Sequence, residues 1–513
     1  MKEKNLGYFF ADSVKRFPDK VAIIDLHGGT ERSLTYAELD ARADRAGGLV
    51  RRLGVKPGER VGMIVGNRVE FLEIFFGAMR AGAIPVAINT RLARDTLKFI
   101  LEDAECRAAF IDPGASAHAA EVSENVPNRV LLDAYERERD ASERLKEPPR
   151  LADDAQAFQP YTSGSTGLPK GAIMTHAGML WYVEYNQRYW PSSPQDRGLI
   201  ALPLFHKNAM RGTVKPMLYA GGSFVLMPGY EPRAYLEALA KYRCTYSRGV
   251  AAVFTMFLQH RDLVAKLDLS GLKSMTIGSA VVTHELMDEV ERALPGIKVG
   301  ESYGLTEGGS PFRPPVDGRP VPRGSPGVQA PEYGVRLVGA DGRDRDDEGE
   351  LWLKSPYNCL GYHKRPQVTR DKLVDGWLRT GDVFRRDNEG FYYFKTRVDD
   401  MFSCGGENIY PKEVEDLLFR HPAVANAVVA PVPHAVKGFV PAALVVLKKD
   451  CRASAEEIRD YCLENGPKYA HPRFVRIIGE KDLPLNGAGK IDRGLARVRL
   501  AELVHTGQAS AGT

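Results

Sequence analysis

Residues 161–171, YTSGSTGLPKG, combine two serines, two threonines and three glycines with a single lysine, Lys170. So many short side chains let the backbone approach a ligand closely. Hydroxyl and backbone N–H groups suit phosphate oxygens, for which Lys170 would supply a counter-charge. The segment therefore predicts a phosphate-binding loop. An ordinary flexible surface loop has a similar composition, so the rest of the chain has to decide between the two interpretations.

The segment is not a Walker A loop. That motif requires a glycine, four residues and then Gly-Lys followed by serine or threonine. The Gly-Lys step of this chain is Gly489-Lys490, where Ile491 follows and Pro484 occupies the position of the first glycine. Any phosphate binding must therefore belong to another class of nucleotide-binding protein.

The composition is that of a globular protein of several domains. The chain has 513 residues, of which 43% are apolar and 27% charged, and this length exceeds what one hydrophobic core supports. A net charge of +4 gives no reason to expect nucleic acid or an acidic membrane surface as a partner. The most apolar early segment, residues 71–89, contains Glu73 and Arg80, so no membrane span is predicted.

The cysteines and the N-terminus favour the cytoplasm. No two cysteines form a CxxC pair, so neither a disulfide framework nor a zinc site is expected. The first twenty residues lack the uninterrupted apolar segment of a signal peptide. The six cysteines are Cys106, Cys244, Cys359, Cys404, Cys451 and Cys462.

Hydrophobic periodicity predicts an α/β fold with a parallel sheet. Thr35 and Glu38 form a capping box before a helix that ends at Gly54. A strand over 61–65, a helix over 69–81 and a strand over 84–88 follow. Strands that alternate with helices are typical of parallel sheets.

The same alternation returns in the middle of the chain and changes near residue 400. Buried strands are predicted over 198–204, 222–227 and 274–278. A polar, glycine-rich segment then precedes a small βαβ-like unit, which places a domain boundary at 397/398. The predicted organisation is an N-terminal domain over 1–397, a C-terminal domain over 398–500 and a flexible tail over 501–513.

Further motifs give the first segment its context. In order and spacing they resemble those of the adenylate-forming superfamily, which includes acyl-CoA synthetases, aryl-CoA ligases, luciferases and peptide-synthetase adenylation domains. The resemblance extends over nearly the whole chain and identifies residues 161–171 with the phosphate loop of that superfamily. The other motifs are PLFH (203–206), ESYGLTE (301–307), GWLRTGD (376–382), KTRVDDMFSCGGENIYPKEVE (395–415) and PLNGAGKIDR (484–493).

The resemblance implies a fold and a nucleotide site. The fold is a large N-terminal domain of α/β subdomains with a small, mobile α+β lid. Thr306 would bind the α-phosphate, Glu307 would hold Mg²⁺, and Asp382 and Arg397 would bind the ribose or a phosphate. The remaining nucleotide contacts implied are Thr162, Ser163, Gly164, Ser165, Thr166, Gly167, Lys170, Glu301, Ser302 and Tyr303, with the Tyr303 ring stacked on adenine.

The same resemblance assigns roles to the lid. Lys490 would be the adenylation lysine, which reaches the substrate carboxylate and the α-phosphate as charge develops in the transition state. Asp399 would be the hinge about which the lid rotates between two half-reactions. Gly405 and Gly406 would let the pantetheine arm of CoA pass close to the backbone. Cys404, beside them, is interpreted as a packing residue.

An acyl pocket is predicted by comparison with aryl-CoA ligases. His206 is expected to line or gate this pocket at the reaction centre, without transferring a proton. Lys207 either extends to solvent or meets a polar or anionic distal group of the substrate. The residues expected around the acyl group are Tyr185, His206, Lys207, Asn208, Ala280 and Leu305.

The predicted function is an ATP-dependent acid–CoA ligase that forms an acyl-adenylate and then a thioester. ATP, Mg²⁺ and CoA are implied, and a homodimer is left open. The GGENIYP segment most resembles that of aryl- and medium-chain ligases, which implies an aromatic or medium-chain acid. Arg211 near Lys207 keeps a dicarboxylate or hydroxylated acid as an alternative. The alternatives are an adenylation enzyme that loads a separate carrier protein, a luciferase-type oxygenase and a non-catalytic nucleotide sensor.

Overall fold

The protein forms two compact units in the computed structural model, which describes residues 2–162, 168–278, 284–404, 407–434, 437–467, 470–485, 491–505 and 510–511. The first unit comprises Met1–Gly334 and Leu353–Arg379, and the second comprises Val335–Trp352 and Thr380–Thr513. The domain boundary predicted at 397/398 falls inside the second unit. This unit also includes strands that precede residue 398 in the sequence.

The strands are numbered in chain order. Up to residue 329 they are β1 Val21–Asp25, β2 Arg32–Thr35, β3 Arg60–Ile64, β4 Ile84–Ala87, β5 Ala108–Ile111, β6 Asn128–Leu131, β7 Gln156–Phe158, β8 Tyr161–Thr162, β9 Lys170–Gly171, β10 Met174–Thr175, β11 Arg197–Ile200, β12 Ser223–Leu226, β13 Tyr246–Gly249, β14 Ser274–Gly278, β15 Lys298–Ser302, β16 Phe312–Arg313 and β17 Gly327–Gln329. The later strands are β18 Gly334–Val338, β19 Asp344–Arg345, β20 Glu348–Lys354, β21 Leu373–Val374, β22 Trp377–Arg386, β23 Phe391–Arg397, β24 Phe402–Cys404, β25 Glu407–Ile409, β26 Val424–His434, β27 Gly438–Leu447, β28 Phe474–Ile477 and β29 Ser510–Ala511.

The helices alternate with these strands. They are α1 Ala11–Arg16, α2 Tyr36–Arg52, α3 Val69–Arg80, α4 Arg94–Asp103, α5 Ala119–Val122, α6 Leu132–Asp140, α7 His176–Tyr189, α8 Lys207–Ala209, α9 Lys215–Ala220, α10 Pro232–Lys241, α11 Ala251–Leu258, α12 Arg261–Val264, α13 His284–Ala293, α14 Pro366–Lys372, α15 Pro411–Phe419, α16 Ala455–Asn465 and α17 Arg493–His505. Residues Met210–Val214 form a π-helical turn between α8 and α9. Within the described residues, no helix has the length and apolar character needed to cross a membrane.

The first unit is built on parallel sheets. A seven-stranded sheet has the order β15-β14-β13-β11-β12-β1-β2, and β2 alone runs antiparallel to its neighbour. A second sheet, β4-β3-β5-β6, is parallel throughout. Ligands of such sheets bind beyond the carboxyl ends of the strands. The segments after β11, β14 and β15 therefore begin where a site is expected.

The second unit has two sheets. Strands β23, β22, β20, β18 and β19 are neighbours in the first of them. In the second, β26 and β27 form a long antiparallel hairpin, and β28 joins β27 in parallel after α16. Apolar residues of α15, α16, α17 and the hairpin form the core of this part, in which Leu418, Val428, Leu444 and Leu500 are fully buried.

These elements confirm the predicted α/β fold and most of the predicted segments. Thr35 caps α2 with Glu38 in the predicted capping box, and β14 has the predicted bounds. The strand predicted over 198–204 is wrong at its end, because β11 stops at Ile200. Beyond this point the Asn67 side chain donates to the Leu202 carbonyl and accepts from the Leu204 N–H. The segment expected to fray is helical through His505.

A buried histidine makes the stability of the first unit pH-dependent. His176 is 2% exposed, and its Nδ1 accepts a hydrogen bond from the Leu6 N–H at 3.0 Å. Burial lowers the pKa of His176 from 6.5 to about 4. The unfolded chain therefore binds more protons than the folded one between these values, so stability falls as the pH drops below about 6.5.

We expect His176 to reduce the free energy of unfolding by about 2 kcal/mol between pH 7.5 and pH 5.0. Urea unfolding of the wild type and of His176→Gln at both pH values measures this contribution. The glutamine retains an acceptor for the Leu6 N–H but does not titrate. Equal losses of stability in the two proteins would contradict the prediction.

Candidate active site

The start of the predicted phosphate loop lies against the segment that follows β15. Thr162, at the end of β8, donates from Oγ1 to Glu307 Oε1 at 3.1 Å. Lys170 lies opposite Thr162 in the β8–β9 pair. The structure thus joins two predicted nucleotide-binding segments that are 145 residues apart in the sequence.

Glu307 is held from two further directions. Its Oε1 accepts a hydrogen bond from the Tyr362 hydroxyl at 3.4 Å, and its carbonyl accepts from the Cys359 N–H at 2.7 Å. The carboxylate is half-buried and is surrounded by oxygen groups from Thr162 and Tyr362. Mg²⁺ is usually bound through one or two carboxylates together with substrate phosphates, so this donor set fits the predicted metal. The described residues contain no group of three or more histidine, cysteine, aspartate or glutamate side chains that could hold a metal ion.

The residues predicted to bind adenine and the α-phosphate lie at the carboxyl edge of the seven-stranded sheet. Glu301 and Ser302 end β15, in register with Ile277 and Gly278 of β14. The Tyr303 ring lies 5.8 Å from the ring of Phe312, measured between centroids, and is half-buried. The half-buried Thr306 follows in a turn that is closed by hydrogen bonds between Leu305 and Gly309. The Tyr303 ring thus packs against Phe312 inside the first unit.

The two residues predicted to bind the ribose form a pair in the second unit. Asp382 on β22 and Arg397 on β23 are directly opposite in the strand register. An Arg397 Nη1 donates to Asp382 Oδ1 at 2.7 Å. Asp382 is 6% exposed, whereas the Arg397 side chain is 44% exposed. Cross-strand pairing therefore orients a buried carboxylate by means of a more accessible cation.

The residues after PLFH form a compact polar turn. His206 caps α8, since its Nδ1 accepts from the Asn208 N–H at 3.2 Å. The Lys207 ammonium donates to the Gly304 carbonyl at 2.6 Å, which brings this turn onto the segment before Thr306. Substrate contact by Lys207 remains a prediction. Asn208 is buried, and its Oδ1 accepts from Arg248 at 3.1 Å.

A wall of aromatic side chains continues from these residues. Tyr185 on α7 stacks on Trp181 at 5.3 Å and meets the edge of Tyr333 at 5.4 Å. Tyr182, one helical turn before Tyr185, contacts Tyr357 at 4.5 Å between ring centroids. Burial raises the pKa of Tyr185 well above its usual value, so its hydroxyl stays protonated. Aromatic walls of this kind suit an aromatic or extended apolar acyl group.

Sequence reasoning missed several members of this region. Tyr182 recurs at helical spacing with Tyr185, and Lys215 follows Arg211 by four residues. That spacing places each pair on one helix face and is a signal that the sequence does carry. The fold also brings to the site three tyrosines from distant segments of the sequence, Tyr333, Tyr357 and Tyr362.

Other predicted residues lie in the second unit or outside the described residues. Asp399 is exposed after β23, and its hinge role remains a prediction. Beside it, burial raises the pKa of Asp400 despite an Arg493 Nε at 3.1 Å. The predicted residues outside the described part of the chain are Ser163, Gly164, Ser165, Thr166, Gly167, Ala280, Gly405, Gly406 and Lys490.

The fold and this site define an adenylate-forming protein. The AMP-binding enzyme family matches residues 10–363, and the family of AMP-binding enzyme C-terminal domains matches residues 413–490. The chain therefore belongs to the AMP-binding enzyme family, as the resemblance of its motifs predicted.

Particular relatives are similar over almost their full length. A feruloyl-CoA synthase of Amycolatopsis sp is 34% identical over 97% of this chain and 100% of its own. The long-chain-fatty-acid–CoA ligase FadD13 of Mycobacterium tuberculosis is 31% identical over 98% and 99% of the two chains. Among solved structures, the anthranilate CoA ligase AuaEII in complex with anthranoyl-AMP matches with a TM-score of 0.88, 25% identity and 98% coverage of both chains.

Proposed function

We propose that this protein is an ATP-dependent acid–CoA ligase acting on an aromatic or medium-chain carboxylic acid. The observation that carries the proposal is the hydrogen bond between Thr162 and Glu307. It sets the start of a hydroxyl-rich loop beside a carboxylate suited to a metal–phosphate complex. The relatives named above are a feruloyl-CoA synthase, a long-chain-fatty-acid–CoA ligase and an anthranilate CoA ligase. They support the proposed reaction, but because their acids differ they do not decide which acid this protein uses.

In the first half-reaction, a carboxylate oxygen of the acid attacks the α-phosphorus of ATP. The bond between the α-phosphorus and its bridging oxygen breaks, and pyrophosphate leaves. Thr306 and Lys490 stabilise the charge that develops on the α-phosphate, which is mainly a matter of positioning and electrostatics. Mg²⁺, when bound by Glu307 and the phosphates, supplies further neutralisation of that charge.

In the second half-reaction, the thiolate of CoA attacks the acyl carbon of the adenylate. The bond from that carbon to the AMP oxygen breaks, and AMP leaves with the electron pair. Asp382 and Arg397 hold the ribose of the departing nucleotide, and rotation at Asp399 exchanges Lys490 for the segment around Gly405.

All six cysteines are free, which supports a reducing compartment such as the cytoplasm.

Pyrophosphate release from ATP tests the function. We expect release with one class in a panel of aromatic, medium-chain and dicarboxylic acids, and a thioester only when CoA is present. Acid-dependent release without a thioester would indicate a carrier protein as the acceptor. ATP binding without release for any acid would favour a nucleotide sensor and contradict the proposal.

A further inference from the structure

Three cationic side chains surround the π-helical turn at Met210–Val214. Arg211 lies within the turn, Lys215 begins α9 one helical turn later, and Arg248 lies near the end of β13. A Cβ atom added at Gly212 would lie 2.6 Å from Arg248 Nε, so the Arg248 guanidinium packs directly on the turn. We refer to Arg211, Lys215 and Arg248 as the cationic cluster. π-Helical turns occur often at functional sites.

No carboxylate among the described residues lies within 4.0 Å of the cationic cluster, although ion pairs are frequent elsewhere in the chain. Arg211 donates to the Leu305 carbonyl at 3.4 Å and lies 5.1 Å from the ring centroid of Tyr182. Arg248 donates to Tyr246 at 2.9 Å and to Asn208 at 3.1 Å. All these partners are neutral, so none of them offsets the charge of the two guanidinium groups.

Lys215 is the most isolated member. It is 7% exposed, and within the described part of the chain no group accepts a hydrogen bond from it. Burial and the neighbouring Arg211 lower the pKa of Lys215 to about 7. Burying a cation without a counter-ion costs free energy, and a bound anion would offset that cost.

A tyrosine hydroxyl near the cluster also lacks a partner. Tyr333 is 1% exposed, and its hydroxyl oxygen has no hydrogen-bond partner. Burial alone would lower the pKa of the Arg211 guanidinium. Interactions with Tyr182, Tyr357 and Tyr333 outweigh burial and raise this pKa, so the guanidinium lies among the same aromatic side chains. A phenol O–H is a donor suited to an oxyanion.

The carboxylates near these aromatic residues are already engaged. Glu307 accepts from Thr162 and Tyr362. Glu332 accepts from Arg188 at 2.5 Å and from Tyr189 at 2.8 Å. These two groups therefore do not serve as counter-ions of the cationic cluster, and an anionic group of a ligand would supply the missing charge.

We propose that the acid substrate carries a second anionic group, held by Arg211 and Lys215 with the hydroxyl of Tyr333 as a further donor. The second group is a carboxylate or an equivalent oxyanion at the end of the acid opposite to the activated carboxylate. Arg211 reaches the Leu305 carbonyl, next to Thr306, so both ends of one acid lie within the first unit. This inference rests on the proposed ligase function and specifies its substrate class.

Matched pairs of acids test the inference on the full chain. Each pair is a dicarboxylic acid and its monoamide, for example succinate with succinamate, adipate with adipamate, and terephthalate with terephthalamate. The two members of a pair have nearly the same shape and differ in one charge. For at least one pair, we expect kcat/KM for pyrophosphate release to favour the diacid about 100-fold.

Variants show whether the cationic cluster is responsible. Lys215→Met keeps the length of the side chain and removes the charge, and we expect it to reduce the diacid preference at least about tenfold by raising KM for the diacid. Arg211→Gln, as a second variant, should do the same. Lys241→Met, which removes a surface lysine paired with Glu31 at 3.1 Å, is the matched control and should retain the wild-type preference.

The outcomes separate this inference from the ligase function. Activation of monocarboxylic acids or monoamides at least as well as of every diacid would overturn the second anion and leave the ligase intact. A rise in KM for ATP in Lys215→Met, equal for all acids, would assign the cluster to nucleotide phosphates and also overturn it. If no acid in either panel releases pyrophosphate, the proposed function and this inference fail together.

Discussion

Replacement of Lys490 by alanine is expected to slow acyl-adenylate formation about 10³-fold. In the proposed mechanism, the lysine supplies a positive charge to the α-phosphate and the acid only while the acyl-adenylate forms. ATP–pyrophosphate exchange with the best acid of the panel measures this step. Thioester formation from supplied acyl-AMP and CoA measures the other step, and we expect it to stay within a few-fold of the wild type.

The comparison of the two steps tests the predicted rotation of the lid. Lys481→Ala removes an exposed lysine nine positions earlier in the chain and should leave both rates unchanged. If Lys490→Ala slowed adenylation and thioester formation equally, the lysine would act in both half-reactions. The prediction that the lid adopts a different state for each half-reaction would then be wrong.

The second large effect is expected for Glu307→Gln, which should slow adenylation about 10²- to 10³-fold. Glutamine preserves an oxygen acceptor for Thr162 and Tyr362, so the local hydrogen bonds remain. It removes the negative charge that a magnesium–phosphate complex requires, and the requirement for Mg²⁺ should rise. Exchange assays over a range of Mg²⁺ concentrations measure both changes.

A remote glutamate provides the control for this variant. Glu105→Gln removes an exposed carboxylate that pairs with Lys364 at 2.9 Å and Arg60 at 2.7 Å, and should not alter adenylation. Wild-type exchange rates in Glu307→Gln at every Mg²⁺ concentration would exclude Glu307 as the metal ligand.

Local signals made most of the fold predictable. The capping box of Thr35 and Glu38, and the apolar segment of β14, act over a few residues and are written in the sequence. The end of β11 was not predictable in this way. It depends on Asn67, a residue more than 130 positions earlier, whose side chain replaces the strand hydrogen bonds.

The candidate site also combines local sequence signals with contacts between distant residues. The motifs that contain Glu307 and Asp382 were recognisable because their order and spacing are specific, and the roles of these two residues stay predictions. The charge of the cationic cluster was not recognisable, because an isolated lysine in the sequence is ordinarily solvated. The burial of Lys215 and the position of Tyr333, which comes from a distant segment, are properties of the fold.

The distribution of the cysteines has a practical consequence. All six lie in the described part of the chain; five are buried and Cys451, just after β27, is exposed. Burial raises the pKa of Cys106, Cys244, Cys359 and Cys462 to about 12, and a protonated, inaccessible thiol reacts slowly with electrophiles. A maleimide dye should therefore attach at Cys451, in the second unit. The unaltered protein thus carries its own attachment point for a single fluorescent label.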